Sequence, residues 1–486
     1  MKSKKVLFLL FVLAFSIRLF FFPFADNRPG DPWERVFTAL EWLKHPHIIL
    51  SGDWLPLHTY LLAGILSIWK DPLIAPRALS LLFGSLTLIP FYLLLRDLFD
   101  RNNAILSSIL FSFFGLHISY SSQSWSETTG IFFLITGFYL FFTKNKMEPW
   151  FSILSGVSLG LSCMVRIEFW PFVPLLIFVR VIQSGFRQSL LFAISSCIFP
   201  ILWMMSNYIQ IEDFLPYYTV NISFERYKIG SFWERLFIYP IRFLKLVGPI
   251  IAIGSMGGIL ISIFKRERYE LALPLLVQFI FFIYESVKVN ANPQYRFLMV
   301  ICMLSFPYFF LLIKESSSVL SRKLKNMILI LGIASFLSIS FWSLLASGGE
   351  IRVHQPPVWE LELAKKIKED SGNGNVFFDN YKWFISNLAV RSEITPNRLA
   401  RVFIQPPYKG IKTPIDFYYL KEDGLFEYFK REKPTYFLYY PGGLLKEYLM
   451  LGKKNTDILQ LNCSFLYLYE IGPYYVYRIK YFSNQF

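Results

Sequence analysis

SQSWSETTGIFFLITGFYLFF, residues 122–142, is a short polar segment followed by an apolar run, and its single charged residue is Glu127. A run of this composition predicts a membrane-spanning helix over about 127–143. Ionisable groups at membrane depth are costly, so a carboxylate where a span begins is a candidate functional group. The segment therefore predicts both a membrane helix and a candidate site at one of its ends.

The whole chain has the composition of a polytopic membrane protein. Of its 486 residues, 54% are hydrophobic and 17% are charged, whereas roughly 25% of residues are charged in soluble domains. Apolar runs long enough to span a bilayer recur along the chain. They predict about eleven transmembrane helices, at 6–24, 76–98, 103–120, 127–143, 150–165, 167–182, 189–208, 243–264, 270–288, 296–314 and 326–346.

The distribution of basic residues predicts the orientation. Alternate loops between the predicted spans are short and basic, for example RDLFDRNN at 96–103 and KRER at 265–268. Short basic loops are typically cytoplasmic, so we expect a cytoplasmic N-terminus and an extracytoplasmic segment after about Ser347. These loops account for much of the basic excess behind the formal net charge of +15, so we predict no nucleic-acid partner. The predicted location is a bacterial inner membrane, in contact with its lipids.

Two regions differ from the predicted spans. The first outer loop, 25–75, contains PWERVFTALEWL and LPLHTYLLAGILSIW, which predict interfacial helices with Trp33 and Trp42 at the membrane interface. In residues 347–486, WELELAKKIKED predicts an amphipathic helix, and NVFFDN, PTYFLYY and YYVYRI predict strands. The sequence therefore predicts a transmembrane domain at 1–346 and a small extracytoplasmic α/β domain at 347–486.

Ionisable residues gather on the predicted outer face, namely Arg18, Asp31, Glu34, Asp53, Arg77, Glu127, Arg166, Glu168 and Arg296. Each has a simpler interpretation. An Arg near a helix end can snorkel to the headgroups, Glu127 can favour a helix N-terminus with Ser124 or Ser126 as its cap, and Asp31 can start a turn. His58 is interpreted as an interfacial side chain rather than a metal ligand. Together, however, these groups form a mixed acidic and basic cluster, which scattered topology charges would not favour.

Such a cluster suits the transfer of a group from a lipid phosphate. The leaving phosphate is already a stable anion, so it needs nearby positive charge rather than a general acid. An acceptor hydroxyl needs one carboxylate as its general base. A donor whose apolar tail lies along the helices would explain why the acids stand beside a membrane segment.

The order of these motifs resembles the GT-C superfamily of membrane glycosyltransferases. The likeness is to the branch of protein O-mannosyltransferases and the lipid A aminoarabinose transferase, which is glycosyltransferase family 39-like. GDPWERVFTALEWL at 30–43 is similar to the first acidic motif, and GDWLPLHTYLLAGI at 52–65 to the acid-x-Pro-Pro-Leu stretch. An Arg-headed second span, the segment 122–142 and PQYRFLMVICMLSFPYFFLL at 293–312 follow in the same order. The resemblance covers residues 6–143 well and the rest loosely.

The resemblance implies roles for the candidate residues. It makes Asp31 the catalytic base and Glu127 the second acidic residue. Asp53 falls where some members place a metal-binding acid, so Asp53 and Glu127 are the candidate metal ligands. Metal dependence is left open, and an all-oxygen site would favour Mg²⁺ or Mn²⁺ over zinc. The predicted phosphate-binding residues are Arg77, Arg166 and Arg296.

This chain departs from the family pattern at two places. Many members have a second acid directly after the first, whereas Pro32 stands there in this sequence. Glu34, one helical turn further on, is the candidate replacement in substrate binding. The first proline of the acid-x-Pro-Pro-Leu stretch is replaced by Leu55.

Sequence and resemblance together predict a hexosyl or pentosyl transferase of the EC 2.4 class, acting with inversion. Its donor would be a polyprenyl-phosphate sugar, and its acceptor a lipid, glycan or protein on the extracytoplasmic face. The alternative is a transporter or flippase of lipid-linked sugars, which predicts ionisable groups near the midplane and broken helices in matching halves. A non-catalytic protein that binds lipid-linked sugars is also left open.

Overall fold

The computed structural model describes residues 2–49, 54–143, 148–216, 230–289, 294–316, 321–345, 353–379, 385–395, 398–401, 429, 433–442, 445, 449–458 and 461–482. By the contacts among them, these residues form two compact units. The first comprises Met1–Asp26, Ser51–His58 and Arg77–His354, and the second comprises Asn27–Leu50, Thr59–Pro76 and Gln355–Phe486. The predicted boundary after 346 groups the first outer loop with the membrane helices, whereas contacts group most of that loop with the C-terminal segment.

The first unit is built from apolar helices. Their residues are mostly apolar, and each helix satisfies its backbone N–H and C=O groups internally, as a lipid environment requires. The helices are α1 Lys2–Phe21, α4 Ala75–Leu86, α5 Leu88–Leu98, α6 Arg101–Ser112, α7 Gly115–Ser121, α8 Ser126–Phe142, α9 Pro149–Cys163, α10 Phe172–Ile211, α11 Phe232–Val247, α12 Pro249–Lys265, α13 Ala272–Tyr284, α14 Met299–Glu315 and α15 Arg322–Leu345.

Several of these helices meet at sharp bends. The pair α6 and α7 is bent by 59°, and the pair α11 and α12 by 114°. The long helix α10 contains non-helical backbone at Gly185, with φ 79°, between the two spans predicted at 167–182 and 189–208. Gly tolerates this positive φ without a Cβ clash, which explains the break.

By length and composition, five helices in the described part of the chain can cross a membrane, or up to seven if each bent pair counts as one span. Shorter apolar helices accompany them. Within its most apolar window, Tyr295–Glu315 is 78% buried, whereas Lys4–Phe24 and Arg322–Leu345 are each 22% buried. The protein is therefore an integral membrane protein in which Tyr295–Glu315 is the central helix of its unit and the other two face outward.

The second unit contains a mixed six-stranded sheet within the described residues. Its strands are β1 Val376–Phe378, β2 Leu399–Arg401, β3 Tyr436–Tyr439, β4 Thr456–Ile458, β5 Cys463–Ile471 and β6 Tyr474–Tyr481, in the order β2-β1-β3-β6-β5-β4. The β1 strand pairs in parallel with β2 and β3, and the remaining pairs are antiparallel. The predicted strands at β1, β3 and β6 and the predicted helix, α16 Val358–Asp370, are confirmed.

The segment 25–75, predicted as the first outer loop, contains two helices, α2 Asp31–Lys44 and α3 Leu57–Ile68. Pro32 occupies the first turn of α2, where its missing N–H costs nothing. Trp33 was predicted to lie at the membrane interface, but it is fully buried. Its indole N–H donates to the carbonyl of Asn27 at 3.0 Å, and the Arg391 guanidinium lies 5.0 Å from its ring centroid. The prediction for Trp33 was wrong because this helix packs on α17, Ile385–Arg391, inside the second unit.

Candidate active site

Glu127 lies in the first turn of α8, with its side chain almost wholly buried. Trp125 is the N-cap residue, and it makes no side-chain capping hydrogen bond. Neither of the predicted caps, Ser124 and Ser126, occupies the N-cap position. A carboxylate in the first turn is favoured by the helix dipole by about 0.3–1 kcal/mol. That is too little to offset the burial of a charge, so the partners of Glu127 decide its state.

Two arginines from distant parts of the chain reach the same oxygen of Glu127. Arg166 Nη1 donates to Glu127 Oε1 at 2.8 Å, and Arg296 Nε lies 3.4 Å from that oxygen. Arg166 also binds Glu168 with both ends of its guanidinium, at 3.1 Å and 2.5 Å. The four residues Glu127, Arg166, Glu168 and Arg296, the four-charge cluster, carry no net formal charge.

Aromatic rings and a glycine surround this cluster. The Arg296 guanidinium carbon lies 4.9 Å from the Trp125 ring centroid and 5.6 Å from the Phe297 ring centroid. The Phe297 ring centroid also lies 5.7 Å from the Arg166 guanidinium carbon. An added Cβ at Gly130 would stand 3.2 Å from Arg166 Cγ. Gly130, on the same helix as Glu127, thus lets the arginine side chain approach α8 closely.

The electrostatics of the cluster keep the arginine charged. Arg166 lies in the turn between α9 and the 3₁₀ turn Ile167–Phe169. Burial lowers the pKa of Arg166, but the carboxylates of Glu127 and Glu168 outweigh this effect and hold the pKa above its ordinary value. Glu127 Oε2, in contrast, is buried and has no hydrogen-bond partner among the described residues.

Three other candidates of the first unit are buried and hydrogen-bonded. Arg77 donates from Nε to the Ser122 carbonyl at 3.0 Å and lies 4.2 Å from the Phe22 ring centroid. His58, predicted to be interfacial, is fully buried. Its Nε2 lies 3.2 Å from the carbonyl oxygen of Ser124, which can only accept, so this nitrogen carries the proton.

Arg18 is fully buried as well. It donates to His117 Nδ1 at 2.9 Å and to Ser121 Oγ at 3.3 Å. An arginine that reached the headgroups would be exposed at its tip, so snorkelling does not describe Arg18. It is a structural residue between α1 and α7.

The first-loop candidates belong to the second unit or lie outside the described residues. Asp31 is half-buried in the first turn of α2. Glu34 is buried, and its Oε1 accepts a hydrogen bond from Ser386 Oγ on α17. The second candidate metal ligand, Asp53, lies outside the described residues.

In the part of the chain that the structure describes, no group of three His, Cys, Asp or Glu side chains could hold a metal ion. The candidate ligand Glu127 is bound instead by two guanidinium groups. Two guanidinium groups at one oxygen of this carboxylate already supply its positive charge, and their repulsion does not fit a divalent cation there. No step is therefore assigned to a metal at Glu127.

Sequence reasoning missed the way in which the cluster is assembled. Glu168 is a candidate by its position, without a predicted role, and the sequence gives no reason to select Trp125 or Phe297. The signal for Glu168 was the alternation of opposite charges in RIEF at 166–169, beside an apolar run. No periodic signal links segments around 127, 166 and 296, because their proximity depends on how the helices pack.

Comparison with known proteins identifies the fold. The family model for dolichyl-phosphate-mannose-protein mannosyltransferases matches residues 44–206, about a third of the chain, which include Glu127, Arg166 and Glu168. A search of curated protein sequences returned no match.

Solved structures resemble the chain over most of its length. Cupriavidus metallidurans ArnT in the apo state has a TM-score of 0.66 at 12% identity, covering 98% of this chain and 98% of that chain. The same protein bound to undecaprenyl phosphate gives 0.66 and 12%, with 96% and 97% covered. The Archaeoglobus fulgidus oligosaccharyltransferase tethered to an acceptor peptide gives 0.60 and 13%, with 90% and 68% covered. The predicted resemblance in fold is confirmed.

Proposed function

We propose that this chain, which has the fold of the GT-C superfamily of membrane glycosyltransferases, transfers a sugar from a polyprenyl-phosphate donor to an acceptor. The observation that carries the proposal is the buried four-charge cluster, in which Glu127 retains an oxygen without a hydrogen-bond partner among the described residues. Support also comes from the relatives, since ArnT was solved with undecaprenyl phosphate and the archaeal oligosaccharyltransferase AglB with dolichol phosphate.

The proposed reaction divides its work among few groups. Asp31 removes the proton of the acceptor hydroxyl as that oxygen attacks the anomeric carbon, and the bond from that carbon to the phosphate oxygen breaks. The acceptor oxygen attacks from the face opposite the phosphate, so the configuration at the anomeric carbon is inverted. The polyprenyl phosphate leaves with the bonding electron pair as a stable anion, so no general acid is needed. Arg296 stabilises the charge that develops on the phosphate, with Arg77 as a further candidate. Glu127 and Glu34 orient the sugar and the acceptor.

The finer features belong to the same proposal. We place the acceptor, whether lipid, glycan or protein, on the extracytoplasmic face of a bacterial inner membrane, with the N-terminus in the cytoplasm. The transferred sugar is a hexose or a pentose. One related structure, of the Archaeoglobus oligosaccharyltransferase, was solved with Zn and sulfate. A divalent cation at Asp53 is compatible with the mechanism above, but no step depends on it. The transporter alternative gains no support from the fold comparison.

The test is transfer by an Asp31→Asn variant. Purified protein would be incubated with radiolabelled undecaprenyl-phosphate mannose, glucose or aminoarabinose and an envelope extract as acceptor. Removing a general base should lower the transfer rate roughly 10²–10⁴-fold. Glu41→Gln, a carboxylate-to-amide change on the same helix, is the matched control and should leave the rate unchanged. Equal rates for Asp31→Asn and wild type would refute the base assignment.

A further inference from the structure

We infer that Glu168 is a positioning residue: through Arg166 it fixes the Glu127 carboxylate so that Oε1 is neutralised by guanidinium groups and Oε2 is available to a hydroxyl of the donor sugar. The inference rests on the proposed function and assigns a sugar-recognition role to one atom of the site. All the residues involved lie in the first compact unit.

The N–H donors of Arg166 nearly all bind partners in or beside the four-charge cluster. Its Nε and Nη2 bind the two oxygens of Glu168, and its Nη1 binds Glu127 Oε1 and approaches Ser126 Oγ at 3.4 Å. An Arg–carboxylate pair joined by two parallel bonds is geometrically specific as well as strong. Arg166 is therefore held by Glu168 in the orientation from which it holds Glu127.

The charge of Arg166 is also committed. Two carboxylates flank it at hydrogen-bond distance, so their negative charge offsets the attraction of this guanidinium for a phosphate. The inference therefore gives Arg166 a role other than the predicted contact with the donor phosphate. In this role, Arg166 supports the Glu127 carboxylate.

The unsatisfied hydrogen-bond acceptor of the cluster belongs to Glu127. Both arginines approach Oε1, whereas Oε2 is buried without a hydrogen-bond partner among the described residues. A buried acceptor left unsatisfied is costly, so a ligand that donates a hydrogen bond there gains affinity. The phosphodiester of the donor carries no proton at neutral pH, so its oxygens cannot donate a hydrogen bond and would be repelled by the carboxylate. A sugar hydroxyl donates and is neutral, so it is the ligand class that this oxygen selects.

The test separates the sugar from the phosphate. Binding to detergent-solubilised protein would be measured for undecaprenyl phosphate alone and for the undecaprenyl-phosphate mannose, glucose and aminoarabinose series. In Glu168→Gln, the affinity for the best sugar-bearing lipid should fall about 10- to 100-fold, the effect of a lost charge-assisted hydrogen bond. Affinity for undecaprenyl phosphate should stay within twofold of wild type, which also shows that the variant is folded.

A double-mutant cycle shows whether Glu168 acts through Glu127. If it does, Glu168→Gln should have almost no further effect on sugar-lipid binding in a Glu127→Gln background. Asp97→Asn is the matched control, because it breaks an Arg–carboxylate pair outside the four-charge cluster, in which Arg96 Nη2 lies 2.8 Å from Asp97 Oδ1. It should change neither affinity.

Three results would overturn the inference. The first is additive effects of Glu168→Gln and Glu127→Gln on sugar-lipid affinity, and the second is an equal loss of affinity for undecaprenyl phosphate and for the sugar-bearing lipid. The third is a wild-type protein that binds undecaprenyl phosphate and the sugar-bearing lipids with the same affinity. Should Glu168→Gln fail to fold, Arg166→Lys keeps the charge and loses the paired bonds, and the same affinities are expected of it. A wild-type protein that prefers the sugar-bearing lipids but transfers no sugar would refute the proposed function while supporting the sugar contact.

Discussion

Replacing Gly130 by alanine should impair transfer much more than it impairs folding. The added Cβ would stand 2.9 Å from Phe169 Cε2 and 3.2 Å from both Arg166 Cγ and Val165 Cγ1. Carbon atoms in good contact are about 3.5–4.0 Å apart. The arginine stem must therefore retreat by about 0.3–0.8 Å, in a cluster whose closest contact to Glu127 is 2.8 Å.

The magnitudes for stability and activity differ. Overpacking a filled site costs about 1–3 kcal/mol, and alanine regains about 1 kcal/mol of helix propensity relative to glycine. The net loss of stability is therefore about 0–2 kcal/mol. A retreat of the predicted size stretches the bond from Arg166 to Glu127 to about 3.1–3.6 Å, at or beyond the limit of a hydrogen bond. Losing a bond between charged groups costs about 1.5–3 kcal/mol, or about 10- to 100-fold in kcat/KM.

The assay pairs this variant with Gly64→Ala. Gly64 also lies in a helix, but nothing lies within 4 Å of the position of its added Cβ. Alanine there should leave transfer unchanged and raise stability by up to about 1 kcal/mol. Both variants would be measured for thermal unfolding in detergent and for transfer from a radiolabelled undecaprenyl-phosphate sugar. If Gly130→Ala transferred sugar at the wild-type rate, the packing of Arg166 on α8 would not position Glu127.

Two further substitutions test other parts of the chain. Arg391→Ala removes the cation from a buried pair, in which Arg391 Nε lies 3.1 Å from Glu360 Oε1. It should destabilise the second unit by about 3–5 kcal/mol in denaturant titrations followed by tryptophan fluorescence, and a loss below about 1 kcal/mol would contradict this. Asp100→Ala removes an N-cap bond to the Asn103 amide at 2.9 Å and an ion pair with Lys314 at 3.0 Å, so it should cost about 1 kcal/mol at neutral pH. Burial raises the pKa of Asp100, but these two partners outweigh it and lower the pKa, so the difference from wild type should be present above about pH 4 and disappear as the pH falls below it.

The apolar pattern of the sequence predicts the elements better than their packing. Most predicted spans correspond to helices, because apolar length is a local property of the chain. Trp33 shows the limit, since an aromatic residue in an amphipathic helix suits a membrane interface and a protein core equally well. Which of them it occupies depends on α17, which is more than 300 residues away in sequence. The short strands β2 and β4 carry no alternation long enough to be recognised.

For the candidate site, too, the sequence predicts the residues better than it predicts their contacts. The sequence identifies Glu127, Arg166 and Arg296 as residue types out of place at a membrane boundary, and the structure brings these three together. The sequence alone gives no way to tell which carboxylate each arginine neutralises. A list of arginines near helix ends therefore assigns all of them to the phosphate, whereas distances assign Arg166 to two carboxylates.

The sizes of the opposing terms also separate the simple interpretation of Glu127 from the functional one. A helix N-terminus contributes at most about 1–2 kcal/mol to a carboxylate, whereas removing an ion from water costs several kcal/mol even after relaxation. The guanidinium groups of Arg166 and Arg296 offset that cost at Oε1, but nothing among the described residues does so at Oε2. If Glu127 served only to begin a helix, a serine or an exposed acid at this position would make the protein more stable. Binding of a hydroxyl at Oε2 would recover this remaining desolvation cost. Without a ligand, the cost reduces the stability of the folded protein.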